Sequence, residues 1–229
     1  MSPEIPSTVP GAVHAAAAVL AAYLLGSVSF SYLIVRLLRG VDIRTVGSGN
    51  AGATNVLRVA GTPAGICALV LDIGKGVAAV VVARLLDVGP VVIAAVGVAA
   101  VLGHMYPVFF GLRGGKGVAT AAGTLGSLAP LATLASLVVF LLVVAWKRYV
   151  SLGSIVVAAT CPAFMVLLPT LRGRPVAWPL VAGAVAIGLL VTWKHRANIG
   201  RLLRGEEKRL GERAEVTSPP PGGEGGQRA

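Results

Sequence analysis

Long apolar runs separated by short polar loops set the pattern of this chain. Residues Ala12–Val35 contain no Lys, Arg, Asp or Glu, and at ~1.5 Å per residue such a helix crosses the ~30 Å hydrocarbon core of a bilayer. Comparable runs are Thr62–Ala83, interrupted by Asp72 and Lys75, then Val88–Phe110, Leu152–Thr170 and Val176–Trp193. Between Val118 and Trp146 lies an uncharged stretch of 29 residues, ~43 Å if helical throughout and long for one crossing. Gly126, Ser127 and Pro130 supply a break in its middle, because proline lacks a backbone donor and disfavours helix at the residue before it.

Charge decides between one crossing and two in that stretch. With two, only Arg84, Arg172 and Arg174 of the twenty basic residues face outward; with one, the count outside rises to eleven. Basic loops are retained on the cytoplasmic side. The pattern therefore predicts an all-α polytopic membrane protein with seven transmembrane helices, the N-terminus outside, the C-terminus cytoplasmic and glycine-rich cytoplasmic loops. That parity brings the loops around residues 46–58, 111–117 and 194–207 to one face.

Composition agrees with this assignment. Hydrophobic residues make up 55% of the 229 positions, charged residues 13%, and the mean hydropathy is +0.83, outside the range of soluble domains. The net charge of +11 is carried by loops beside apolar runs, without interleaved aromatics, so it argues for membrane topology and against a nucleic-acid partner. Cys67 and Cys161 fall within apolar runs and read as small hydrophobes. The N-terminal stretch carries Glu4 and no Lys or Arg before Arg36, so it reads as a retained first helix instead of a cleaved leader. Residues 1–213 form one integral membrane domain; residues 214–229 are a Pro/Gly-rich tail whose composition predicts disorder.

Three polar clusters interrupt the apolar background. Val46–Arg58, Val-Gly-Ser-Gly-Asn-Ala-Gly-Ala-Thr-Asn-Val-Leu-Arg, combines turn-forming glycines with small polar side chains and an arginine, a composition suited to phosphate or carboxylate. Gly111–Gly117 ends in glycines directly before a helix, an arrangement that directs free N–H groups at an anion, with Lys116 adding a point charge. Gly117 follows Lys116, so this is not a Walker A loop, which needs Ser or Thr there. A turn-rich basic loop would look the same. The third cluster runs from Lys194 to Glu207; if the last span continues as a helix, His195 and Asn198 share a face at i and i+3. Asp72 and Lys75, also at i and i+3, can neutralise each other within a span, and either structural pairing or support of a site would account for them. His14 reads as interfacial, and His104 as a packing residue or a helper of the second cluster.

Ser48–Arg58, Leu71–Gly76, Gly103–Thr120 and His195–Glu207, taken in order, resemble the successive motifs of the bacterial acyl-phosphate:glycerol-3-phosphate acyltransferase family, PlsY. The resemblance covers roughly Ala12 to Gly211. It implies a multi-pass enzyme of the bacterial inner membrane that needs no cofactor or metal. This enzyme transfers a fatty acyl group from acyl phosphate to the 1-hydroxyl of glycerol 3-phosphate. Lysophosphatidic acid and inorganic phosphate are then its products, and its partners are glycerol 3-phosphate, acyl phosphate and membrane lipid. Carried over by position, Ser48, Arg58, Lys116, His195 and Asn198 match the family's catalytic residues. Asn50, Thr54, Asn55, Gly114, Gly115 and Gly117 match substrate-binding positions, while Asp72, Lys75 and Glu207 are structural support. Ala51 and Arg113 occupy variable positions, Glu206 replaces a more usual Thr, and the tail is additional.

Several chemistries are argued against by pattern. No Gly-x-Ser-x-Gly elbow surrounds Ser48, since position 46 is Val. Neither His104 nor His195 is followed by Asp at the fifth position, as the thioester-dependent acyltransferases require. Direct transfer without an acyl-enzyme is the expected route. An anion transporter would call for internal repeats and cationic sites on both faces; no repeat is seen and the polar clusters fall on one side. A lipid-binding scaffold would leave Ser48, Asn55 and Asn198 without a purpose.

Overall fold

The computed structural model of the protein describes residues 8–212; the tail at 214–229 lies outside them. The described chain is all helical: α1 (Thr8–Gly26), α2 (Phe30–Arg39), α3 (Ala53–Ala60), α4 (Thr62–Leu85), α5 (Pro90–Met105), α6 (Val118–Leu128), α7 (Pro130–Lys147), α8 (Val150–Leu171), α9 (Trp178–Lys194) and α10 (Arg196–Leu203), with short 3-10 turns at Ile43–Thr45 and Val108–Phe110. The bundle is held by α1 on α5, α4 on α6, α7 on α8, and α9 against both α5 and α8.

Small residues let these helices approach. A β-carbon at Gly103 of α5 would collide with the Tyr23 carbonyl of α1, and one at Gly123 of α6 with the Ile73 carbonyl of α4. Close backbone approach is how helices associate where lipid removes the usual hydrophobic drive. Large apolar side chains such as Leu20, Val70, Leu134, Leu141 and Leu189 point outward instead. Trp146, Trp178 and Trp193 are exposed at helix ends, the position of interfacial aromatic belts.

Five helical stretches are long and apolar enough to cross a membrane: Gly11–Arg39, Thr62–Leu85, Pro90–Phe110, Pro130–Lys147 and Val150–Leu171. A sixth arises if α9 and α10, bent by 57°, count as one. The break foreseen before Pro130 falls at Ala129. Its first half, α6, has 11 residues, ~16 Å of helix and shorter than the hydrocarbon core. Length alone therefore yields five or six spans.

The first span departs from the sequence expectation. It runs on to Arg39 and is interrupted at Ser27–Ser29. Ser27 Oγ bonds back to the Tyr23 carbonyl at 2.8 Å, and the Val28 carbonyl, freed by the break, accepts from Lys75 Nζ at 2.8 Å. An ammonium from another helix thus satisfies a backbone acceptor that lipid could not.

Candidate active site

The loop after α2 is organised by one buried amide. Asn55, 1% exposed, accepts from the Ser48 N–H at 2.9 Å and donates to the carbonyls of Val46 (3.1 Å) and Ile43 (3.2 Å). Gly47 and Gly49 have φ of +63° and +68°, a left-handed backbone that glycine adopts without a Cβ clash. The alternation carries Ser48 out to the tip of the loop, exposed, while Arg58 projects from the last turn of α3. Arg44 ties this loop to the next one: it pairs with Asp42 at 2.6 Å and donates to the Phe110 carbonyl at 2.7 Å.

In the second loop the glycines act differently from the sequence expectation. The N–H groups of Gly114 and Gly115 are engaged with the carbonyls of Met105 (3.3 Å) and His104 (3.1 Å), so they are not free for an anion. A β-carbon at either position would strike α5. These glycines press the loop onto the end of α5 and carry Lys116 outward; Gly117, at φ +80°, turns the chain into α6.

The third cluster also departs from a continuous helix. The chain bends by 57° at His195, whose N–H bonds the carbonyls of Val191 and Thr192. His195 and Asn198 are nevertheless both buried and both face the site. His195 Nδ1 lies 2.8 Å from the Val191 carbonyl; a carbonyl can only accept, so Nδ1 carries a proton.

A hydrogen-bonded chain links the second and third clusters. Lys116 Nζ donates to Asn198 Oδ1 at 2.5 Å, and Asn198 Nδ2 donates to Glu207 Oε1 at 2.6 Å. Glu207 also accepts from Ser151 Oγ (2.7 Å) and Arg201 Nε (2.7 Å). Its segment is fastened to the α7–α8 turn by the Leu210 N–H donating to the Arg148 carbonyl and the Arg148 guanidinium donating to the Leu210 carbonyl.

Burial holds the Lys116 ammonium down to about 8; Glu207 opposes this, while Arg201, Arg58 and Lys194 add to it by repulsion. Burial raises the Glu207 carboxyl, but its hydrogen bonds from Asn198, Ser151 and Arg201 outweigh that and keep it below the ordinary carboxylate range.

All five of Ser48, Arg58, Lys116, His195 and Asn198 line one cavity of about 790 Å³. Asn50, Thr54, Asn55, Gly117, Asp72 and Glu207 line it as well; Gly114, Gly115 and Lys75 stand behind its wall. Beneath the cationic mouth the walls become apolar, with Leu69, Leu125, Phe140, Val157 and Ile187 from α4, α6, α7, α8 and α9. One end thus suits phosphate and the other a hydrocarbon chain.

Sequence reading missed Ser151, which holds Glu207, and Arg44, which joins the first two loops. Ser151 carries a faint signal, a lone hydroxyl in the first turn after Lys147-Arg148-Tyr149. Arg44 carries none, because its partner is a backbone carbonyl 66 residues away.

A family profile described as glycerol-3-phosphate acyltransferase matches residues 16–205. The chain is 47% identical over 202 residues to the glycerol-3-phosphate acyltransferase of Shouchella clausii, covering 86% of this chain and 96% of that one. The Aquifex aeolicus protein of the same name is 47% identical over 193 residues, 84% of this chain and 97% of that one. Among solved structures, PlsY (YgiH), an integral membrane glycerol 3-phosphate acyltransferase, is similar in its glycerol 3-phosphate form, with a TM-score of 0.78 and 45% identity over 86% of this chain and 96% of that chain. Its lysophosphatidic acid form gives a TM-score of 0.76 at 44% identity, covering 86% and 95%. With the profile spanning most of its length and its relatives matched nearly end to end, this chain belongs to the glycerol-3-phosphate acyltransferase family.

Proposed function

We propose that this protein transfers a fatty acyl group from acyl phosphate to the 1-hydroxyl of glycerol 3-phosphate, releasing lysophosphatidic acid and inorganic phosphate. One observation carries the reading: a single cavity has Arg58, Lys116, Lys194 and Arg201 at its mouth and an apolar body between helices. Both substrates are phosphates and one is also a lipid. That relatives bind glycerol 3-phosphate and lysophosphatidic acid supports the acceptor and product; the donor is inferred from the chemistry.

Acyl phosphate is a mixed anhydride with a good leaving group, so catalysis is mainly orientation and charge stabilisation. The glycerol hydroxyl oxygen attacks the acyl carbonyl carbon, the carbon–oxygen bond to phosphate breaks, and the hydroxyl proton leaves to a phosphate oxygen. Ser48 donates a hydrogen bond at the reacting centre, and Arg58 and Lys116 neutralise the phosphates and the developing oxyanion. His195 Nε2 and Asn198 orient glycerol 3-phosphate. Asn50, Thr54 and Asn55 shape the first loop, and Gly114, Gly115 and Gly117 the second. No cofactor or metal takes part.

The same reading makes residues 1–213 one domain of the bacterial inner membrane with seven spans, α6 being the short one. The N-terminus is then outside and the active site opens to the cytoplasm. In support, Lys116 just before α6 bonds Asn198 of α10, and Arg148 just after α7 bonds Leu210, so α6 begins and α7 ends beside the C-terminal segment, as a hairpin of two crossings requires.

The test is transfer of labelled glycerol 3-phosphate by purified protein in detergent, with acyl phosphate, acyl-CoA and acyl carrier protein offered separately. Product with acyl phosphate alone is expected, and activity with a thioester instead refutes the donor. Trapping an acyl ester on Ser48 overturns direct transfer.

A further inference from the structure

Three charged or titratable side chains lie buried beside the site without a role in the transfer. Asp72 and Lys75 of α4 are each 1% exposed and pair at 2.9 Å; Ser31 Oγ approaches the other Asp72 oxygen at 3.5 Å. His104 of α5, buried, turns Nδ1 toward Asp72 Oδ1 at 3.5 Å, within reach of its charge, and Nδ1 makes no hydrogen bond among the described residues. A carboxylate only accepts. A protonated Nδ1 is the form that suits this approach to a carboxylate, and Nε2 is directed away from Asp72.

The far edge of that ring lies where the first two loops meet. A β-carbon on Gly115 would run into both His104 Nε2 and the Ala51 carbonyl of the first loop. His104 and Asp72 both line the cavity, and Lys116 is the next residue after Gly115. The ring edge therefore backs Gly115 at the point where the loop that carries Lys116 meets the loop that carries Ser48.

We propose that His104, oriented by Asp72 and Lys75, is a positioning residue that sets how far Lys116 stands from the Ser48 loop. Its kinetic consequence rests on the acyl-transfer reading above; its structural consequence does not. Two substitutions divide the ring: His104→Asn keeps a donor for Asp72 at the Nδ1 position and removes the edge against Gly115, whereas His104→Gln restores reach to the Nε2 position.

Kinetics for glycerol 3-phosphate and amide hydrogen exchange are measured on wild type and both variants. For His104→Asn, KM is expected to rise at least about 10-fold with kcat within about threefold, the pattern of lost binding alignment without lost chemistry. Exchange at Gly114 and Gly115 is expected to accelerate by about 10-fold while α7 and α8 stay as in wild type. His104→Gln is expected to recover most of both effects. Unchanged KM and exchange in His104→Asn overturn the proposal, as does faster exchange spread through the whole bundle, or a kcat loss with KM intact. If wild type transfers no acyl group, the functional reading fails and the exchange measurement still decides this one.

Discussion

Asn198 stands between a cation and an anion, its Oδ1 receiving Lys116 Nζ at 2.5 Å while its Nδ2 reaches Glu207 at 2.6 Å. An amide has one accepting and one donating end. Because Glu207 can only accept, it helps fix which end Asn198 turns to Lys116, and a carboxylate beyond the five proposed site residues thereby aims one of them.

That relationship predicts the outcome of Glu207→Gln. The new amide can donate as well as accept, so the carboxylate's share in orienting Asn198 is lost and Lys116 alone is left to hold it. A hydrogen bond to a charged group contributes about 1.5–3 kcal/mol, so kcat/KM is expected to fall about 10- to 100-fold. Glu207→Ala also strands Ser151 and Arg201, and its melting temperature in detergent is expected to fall further than that of Glu207→Gln. Wild-type kinetics in Glu207→Gln would refute the aiming role.

Lys116 predicts the alkaline limb of the pH profile. Its ammonium is held near 8, so it is charged below that pH and loses its proton as pH rises through it. The free-enzyme quantity kcat/KM for glycerol 3-phosphate is expected to fall above pH 8. In Lys116→Arg the guanidinium stays charged, and the residual activity should lack that limb. The stability sign follows by linkage: between about 8 and 10.5 the unfolded chain holds the extra proton, so this group's contribution favours folding more as pH rises.

Asn55 predicts a loop defect distinct from a chemical one. Asn55→Ala removes the bonds to Ser48, Val46 and Ile43 together and leaves the buried Ile43 carbonyl unpaired, at about 1–3 kcal/mol. Activity is expected to fall at least about 100-fold, with faster amide exchange confined to residues 43–52. Ser48→Ala should lower activity without altering that exchange.

Gly103 tests the packing. Gly103→Ala places a methyl group against the Tyr23 carbonyl, and overpacking of this kind costs about 1–3 kcal/mol. Thermal unfolding in detergent should fall by several degrees, whereas Gly74→Ala, where the added carbon meets nothing, should be neutral or slightly stabilising.

Much of this protein is written in one dimension. A membrane forces apolar residues into runs of a set length, so composition and run length were enough to read an all-helical membrane bundle, and a proline at 130 was enough to read the break before α7. Ser48, Arg58, Lys116, His195 and Asn198 could be proposed together because their loops are polar islands between apolar runs, and the fold brings all five to one cavity. Tertiary structure alone decided how they work together. Gly114 and Gly115 spend their N–H groups on α5, the chain bends at His195, the first span breaks at Ser27–Ser29, and Glu207 reaches Ser151. Each of these depends on a partner distant in sequence, often a backbone carbonyl that every residue possesses. Such partners are assigned by the packing of helices and leave no mark of their own on the chain.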